Sequence, residues 1–109
     1  MLRIFLFLLL FLHISFAETY ITKNSYSELL YSNPRGVGCN KCHGEFGEGR
    51  VIAKYKHKEQ NIELVAPRIN NISKEKFVKA LKNSKSVMPN YPLTPEEIDS
   101  LYHFLNSQK

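Results

Sequence analysis

The sequence has few of the residues that most metal and redox sites need. It contains two cysteines and four histidines, and three of the histidines, His13, His57 and His103, stand singly. A closed structural zinc site needs four ligands, usually from a second Cys or His pair at short spacing, so this kind of site is excluded. A thioredoxin-like site needs a βαβ unit around its cysteines, and runs of β-branched residues are missing from the flanks of this pair.

The two cysteines belong to the run Cys39-Asn40-Lys41-Cys42-His43. A Cys-x-x-Cys-His run is the pattern of covalent haem attachment, because it supplies two thiols for the two vinyl groups and an adjacent imidazole for the iron. We therefore expect one haem c, with its iron, attached through Cys39 and Cys42, and His43 as the proximal ligand. A structural disulfide or a redox-active thiol pair remains the alternative.

Residues 1–17 have the pattern of a secretory signal peptide. Arg3 precedes an apolar run from Ile4 to Leu12, and Ser15-Phe16-Ala17 fits a small-x-small cleavage site. The alternative, a membrane anchor, would need roughly 20 apolar residues, which is more than this run offers. We expect cleavage after Ala17 and a periplasmic protein, because haem is attached to this motif outside the bacterial cytoplasm.

Removal of residues 1–17 leaves one domain, residues 18–109, which is mildly basic. A chain of this size buries only a modest core, and a covalently bound porphyrin would add apolar surface for it to wrap. Nucleic acid is not an expected partner, because no binding motif accompanies the modest charge.

Apolar periodicity predicts an all-α fold of three to four helices wrapped around one covalently attached haem. Residues 25–33 are expected to form a short first helix, with Tyr26, Leu29 and Leu30 on its apolar face and Pro34 ending it. No segment of alternating apolar and polar residues was found that would predict a sheet.

Two further helices are expected in the second half of the chain. Ser73 begins one of them, with Phe77, Val78 and Leu81 on its apolar face. The last helix has the clearest signals, since Thr94 is the N-cap, Pro95 occupies the first position and Glu97 completes a capping box. Its apolar face is predicted to consist of Ile98, Leu101, Tyr102 and Leu105.

The middle of the chain is less regular. Residues 44–50 contain three glycines, which fit either a backbone turning tightly against a flat ligand or a flexible turn. Residues 51–71 are polar and irregular, with a short helical piece expected near residues 58–64.

A low-spin electron carrier needs a second axial ligand opposite His43, from a methionine or another histidine. Met88 is the only methionine after residue 17, and it lies in a loop stiffened by Pro89 and Pro92. We therefore expect Met88 to be the sixth ligand. A methionine packed in the core, or ligation by His57 or His103, are the alternatives.

Taken together, these residues resemble the class I cytochromes c, and most closely the small single-haem bacterial type. The resemblance covers the chain after residue 17: a first helix, Cys39 to His43, a variable loop, Ala66-Pro67, a helix, and a block from Met88 to Ile98 that leads into the last helix. It implies thioether bonds from Cys39 and Cys42, iron ligation by His43 and Met88, and a hydrogen bond from His43 to the backbone carbonyl of Pro67.

The sequence departs from the family at its first helix. The family usually crosses its first and last helices through a glycine and an aromatic residue four positions apart, whereas this chain has Ser27 and Tyr31 at that spacing. Residues 34–37 also lengthen the approach to Cys39. We therefore predict a looser or shifted helix crossing, with haem ligation unaffected.

The expected function is outer-sphere transfer of single electrons between respiratory redox partners, without catalysis and without a small-molecule substrate. A haem enzyme, or a gas or redox sensor with an open sixth position, is the alternative. We expect a monomer that meets other periplasmic or membrane redox proteins through small, transient interfaces. A set of lysines could steer it toward an acidic partner: Lys41, Lys54, Lys56, Lys58, Lys82 and Lys85.

Overall fold

Four helices and one β-hairpin make up the described part of the molecule. The computed structural model describes Met1, Ile4 and residues 21–83 and 86–108, so the predicted signal peptide lies almost entirely outside the described residues. The elements in chain order are α1 (Lys23–Ser32), α2 (Cys39–His43), β1 (Arg50–His57), β2 (Gln60–Ala66), α3 (Lys74–Lys82) and α4 (Pro95–Asn106). None of the described helices combines the length and apolar character needed to cross a membrane.

Helix α1 packs against α4 through a face that differs from the predicted one. Its buried residues are Ser27, Leu30 and Tyr31, whereas Tyr26 and Leu29 are 40% and 61% exposed. The prediction for Tyr26 and Leu29 is therefore wrong. The small side chain of Ser27 suits a position where two helices meet, and its hydroxyl donates a 2.7 Å hydrogen bond to the carbonyl of Lys23, which offsets the cost of burying it.

Helix α4 supplies most of the core. Ile98, Leu101 and Leu105 are buried as predicted, and Phe104, which was not predicted, is buried beside them. The ring of Phe104 lies 5.1 Å from the ring of Tyr31, measured between centroids, and this tilted pair joins α4 to α1. The crossing is thus closely packed and not looser, and the other alternative, a shifted crossing, stays a prediction.

Local capping signals agree with the starts of α3 and α4. The side chain of Ser73 accepts a hydrogen bond from the backbone N–H of Lys76. Thr94 and Glu97 form both hydrogen bonds of a capping box, with Pro95 at the start of α4. Phe77 of α3 is buried, and Val78 and Leu81 pack against the core.

Strands β1 and β2 form an antiparallel hairpin in the segment that was predicted to be irregular with a short helical piece. The prediction of an all-α fold is therefore wrong for residues 50–66. Ile62, Leu64 and Ala66 point to the less exposed face of β2 and alternate with exposed residues, which is the pattern of a half-buried strand. Lys58 and Glu59 form the two-residue turn, and both have positive φ, at 49° and 66°, as a type I′ turn requires.

Candidate functional site

Helix α2, the base of the hairpin, α3 and the loop before α4 surround a cavity of about 580 Å³. Its volume lies within the range of small-molecule and cofactor sites. The lining includes Cys39, Cys42, His43 and Met88, so the cavity brings together the four residues predicted to attach and ligate the haem. Most of the remaining walls are apolar, and they include Ile52, Leu64, Ile69, Ile72, Phe77, Leu81 and Val87.

His43 ends α2 and is buried. Its Nδ1 atom lies 2.8 Å from the carbonyl oxygen of Pro67, the contact that the resemblance implied. Because a carbonyl oxygen can only accept, Nδ1 must carry the proton, and the lone pair of the other ring nitrogen, Nε2, is left for a metal. The Pro67 carbonyl thus fixes both the tautomer and the orientation of the imidazole.

Cys39 and Cys42 lie three residues apart on α2 and therefore share one face of that helix. Both thiols are free and half-buried. Burial raises the pKa of the Cys39 thiol to about 11, whereas reactive redox thiols have lowered pKa values. This environment does not favour the thiol-pair alternative. Among residues 21–83 and 86–108, no group of three or more His, Cys, Asp or Glu side chains is placed to hold a metal ion.

Residues 44–50 turn tightly against the protein. The N–H of Gly49 donates to the carbonyl of His43 at 2.7 Å, and the N–H of Ile69 donates to the carbonyl of Gly47 at 2.8 Å. Neither Gly47 nor Gly49 lines the cavity described above. These contacts agree with a tight turn, but the turn packs on the protein's own backbone and core.

Two residues outside the attachment motif hold α2 in place. The hydroxyl of Tyr31 donates a 2.7 Å hydrogen bond to the carbonyl of Gly44, directly after His43, and burial raises the pKa of this phenol. Arg50, at the start of β1, donates to the carbonyls of Asn40 and Lys41. A cation at the carbonyl end of a helix is favourable. The spacing of Ser27 and Tyr31 was a signal for Tyr31, whereas nothing in the sequence pointed to Arg50.

Met88 is half-buried in the wall of the cavity. The two rival ligands lie elsewhere: His57 ends β1, His103 lies on α4, and both are exposed and outside the lining. Tyr91 also borders the cavity, and burial raises its pKa. Its hydroxyl donates a 2.6 Å hydrogen bond to the carbonyl of Val37.

The longer approach to Cys39 is joined to the start of α4 by an ion pair. The guanidinium of Arg35 donates to both carboxylate oxygens of Glu97, at 2.7 and 2.8 Å, and to the carbonyl of Pro92 at 2.6 Å. The hydrogen bond from Arg35, together with one from the backbone N–H of Thr94, lowers the pKa of Glu97 to about 2. Nothing in the sequence predicted this pair.

The lysines of the predicted docking set lie on several elements. Lys54 and Lys56 alternate with Tyr55 on β1 and so share one face of the hairpin. Lys54 forms a 3.0 Å ion pair with Glu63. Lys58 lies in the hairpin turn, whereas Lys41 lies on α2 and Lys82 ends α3. Lys85 lies outside the described residues.

The residues around the cavity fit a covalently attached haem, because an apolar chamber is bordered by two free thiols on one helix face and by an imidazole with Nε2 available. A family model described as Cytochrome c matches residues 28–109. Comparison with curated proteins and with solved structures gave no match. Proteins of the matched family bind haem c and its iron covalently and generally transfer electrons, and Cys39, Cys42 and His43 fit the family's attachment motif. The chain therefore belongs to the cytochrome c family.

Proposed function

We propose that this chain is a small class I cytochrome c of the bacterial periplasm. It would carry single electrons between respiratory redox partners with His43 and Met88 as axial ligands of one haem. The observation that carries the proposal is the shared cavity: Met88 lines the same chamber as His43 and both cysteines, whereas His57 and His103 do not.

When bound, haem c supplies one-electron Fe(II)/Fe(III) chemistry. Cys39 and Cys42 prevent its loss, and Pro67 keeps His43 in the tautomer that presents Nε2. A thioether ligand from Met88 raises the reduction potential relative to a second imidazole. Apolar walls keep water away, and two protein ligands leave no position for a substrate. These residues would therefore hold the iron in a single coordination state. Electron transfer requires such a state, whereas catalysis at the iron requires a free coordination position.

Export supports the same function. The pattern of residues 1–17 and the need to attach haem outside the cytoplasm agree with a periplasmic protein, processed after Ala17 to residues 18–109. We propose that it acts as a monomer and meets other redox proteins transiently.

The hairpin carries three lysines of the proposed docking surface. Lys54, Lys56 and Lys58 lie within one short hairpin, whose first residue, Arg50, is bonded to α2. A basic hairpin bonded to the haem-attachment helix suits steering toward an acidic redox partner, and such steering weakens as ionic strength rises. Charge reversal at Lys56 should slow association with an acidic partner at low salt, and the same change at Lys76 on α3 provides a control.

The ligand assignment can be tested by optical spectra of ferric and ferrous protein produced with haem-attachment machinery. Wild type should be low-spin, with the weak ferric absorption band of a thioether ligand, and it should not bind carbon monoxide readily. Met88→Ala should lose the band and bind carbon monoxide, whereas His57→Ala and His103→Ala should resemble wild type. If wild type itself binds carbon monoxide readily, the sixth position is open and the sensor or enzyme alternative replaces the carrier. If no haem is attached, the assignment of Cys39 and Cys42 is wrong.

A further inference from the structure

Residues 34–37, which lengthen the approach to Cys39, contact the first turn of α4 and the segment that connects Met88 to it. Three sets of hydrogen bonds join them: Arg35 to the carboxylate of Glu97, Arg35 to the carbonyl of Pro92, and Tyr91 to the carbonyl of Val37. We call these five residues the latch.

The Arg35 side of the latch is fixed by burial and by contacts. Pro34, directly before Arg35, is fully buried. Arg35 has a φ of 61°, in the left-handed region that residues other than glycine rarely adopt. Such a conformation persists where surrounding contacts determine it, and here the guanidinium is held by the carboxylate and the carbonyl across the gap. The latch therefore has a preferred geometry.

The other side of the latch is close to the proposed iron ligand. Tyr91 follows Met88 by three residues and borders the same cavity. Pro89 and Pro92 restrict the backbone on either side of Tyr91, so a displacement at Tyr91 is transmitted toward Met88. Val37 precedes Cys39 by two residues. The latch thus joins the wall that carries Met88 to the segment that enters the attachment motif, independently of any bond made inside the cavity.

We propose that Arg35 and Tyr91 are positioning residues that hold the Met88 loop closed and so limit replacement of the Met88 sulfur by an external ligand. The proposal rests on the function proposed above, because it requires Met88 to be an iron ligand. Removing hydrogen bonds of the latch should raise the population of the state in which the Met88 loop has moved away from its closed position. An external ligand that binds only that state then binds more tightly.

Imidazole titration of the ferric holoprotein tests the latch, with loss of the thioether band as the readout. Tyr91→Phe removes one hydroxyl from the latch and should tighten imidazole binding about 2- to 10-fold, in line with the usual contribution of one hydrogen bond. Arg35→Gln removes a bidentate, charge-assisted pair and should have at least as large an effect. Helical circular dichroism checks that both variants are folded.

Tyr102→Phe is the matched control. It also removes a tyrosine hydroxyl that donates to a backbone carbonyl, at Ile72 and 3.2 Å, but it lies outside the latch. Imidazole affinity should therefore stay at the wild-type value. If Tyr91→Phe and Arg35→Gln also bind imidazole with wild-type affinity while the band is present, the latch proposal is wrong and the ligand assignment stands. If wild type lacks the band and binds carbon monoxide, the ligand assignment fails and the latch proposal fails with it.

Discussion

Gly47, in the turn that follows the haem-attachment motif, should tolerate substitution poorly. It has a φ of +75°, and a Cβ atom added there would lie 2.5 Å from Cδ2 of Leu105 and 3.1 Å from Cγ1 of Ile69. Leu105 is fully buried in the core, so it cannot move away freely. Gly47→Ala therefore meets two costs, a left-handed backbone and an overpacked core.

The two costs can be given magnitudes. A left-handed conformation costs a residue with a Cβ about 1–2 kcal/mol. Forcing extra atoms into a packed core typically costs about 1–3 kcal/mol. Gly47→Ala should thus lower the free energy of unfolding by about 2–5 kcal/mol. For a domain of this size, each kcal/mol lowers Tm by roughly 4–8 °C.

Gly44→Ala separates the two costs. Gly44 also has a positive φ, at +84°, but the atoms nearest to its added Cβ belong to the end of the exposed Glu48 side chain, which can move if its carboxylate gives up the hydrogen bond from the backbone N–H of Phe46. This variant should lose about 1–3 kcal/mol, because its φ of 84° and ψ of 172° lie in a region that only glycine adopts readily. Guanidinium unfolding of the holoproteins, followed by circular dichroism, measures the free energy of unfolding of both variants. A haem stain checks that the two variants carry equal amounts of haem. If Gly47→Ala and Gly44→Ala lower the free energy of unfolding equally, the added Cβ at Gly47 does not overpack the core.

Three other substitutions test the core and the latch. Phe104→Ala should lower the free energy of unfolding in guanidinium by about 3–5 kcal/mol, because the ring is buried against Tyr31. Leu29 is exposed, so Leu29→Ala should stay within about 0.5 kcal/mol of wild type. Similar losses in the two variants would contradict the buried faces assigned to α1 and α4. Glu97→Gln tests pH dependence, because Arg35 lowers the pKa of Glu97 from the ordinary 4.5 to about 2. The ionised carboxylate stabilises the fold above pH 4.5 and loses this effect as the pH falls toward 2. Urea unfolding at pH 5, 4 and 3 should therefore show a narrowing gap between wild type and Glu97→Gln, and a constant gap would show that the ion pair is not responsible.

The starts of α3 and α4 and the haem-attachment motif could be predicted because their signals are local. The side chains of Ser73, Thr94 and Glu97 accept hydrogen bonds from backbone N–H groups three residues away. The interactions that begin each helix can therefore be recognised from a short stretch of sequence. The cavity could be anticipated from the motif, although its walls come from distant segments.

The hairpin was missed because neither its turn nor its first strand carries a strong signal. A type I′ turn usually contains Asn-Gly or Asp-Gly, and here Lys58-Glu59 adopts it. Along β1 nearly all residues are exposed, so no burial period marks the strand. The alternation of Ile62, Leu64 and Ala66 was present but spans only a few residues, too short to distinguish a strand from a helical piece without the pairing partner.

The error in α1 has a similar origin. Both possible faces include Leu30, and the apolar count favours the face with Tyr26 and Leu29. The packed face instead contains Ser27, because close approach of α4 requires a small residue and the neighbouring Tyr31 fits against Phe104. The contacts of the latch could not be predicted at all, since Arg35 and Glu97 are 62 residues apart and nothing local links them.

Serine in place of the usual glycine is compatible with a formed site because the aromatic residue of the pair, Tyr31, is retained and packed. Ser27 is fully buried, and Tyr31 packs its ring against Phe104 of α4. Its hydroxyl then bonds to the carbonyl of Gly44, while the N–H of Gly49 bonds to the carbonyl of His43. The main chain at the proposed iron ligand is thereby held from two directions, and Pro67 holds the imidazole from a third. Such an arrangement favours a ligand that keeps its position whichever charge the iron carries.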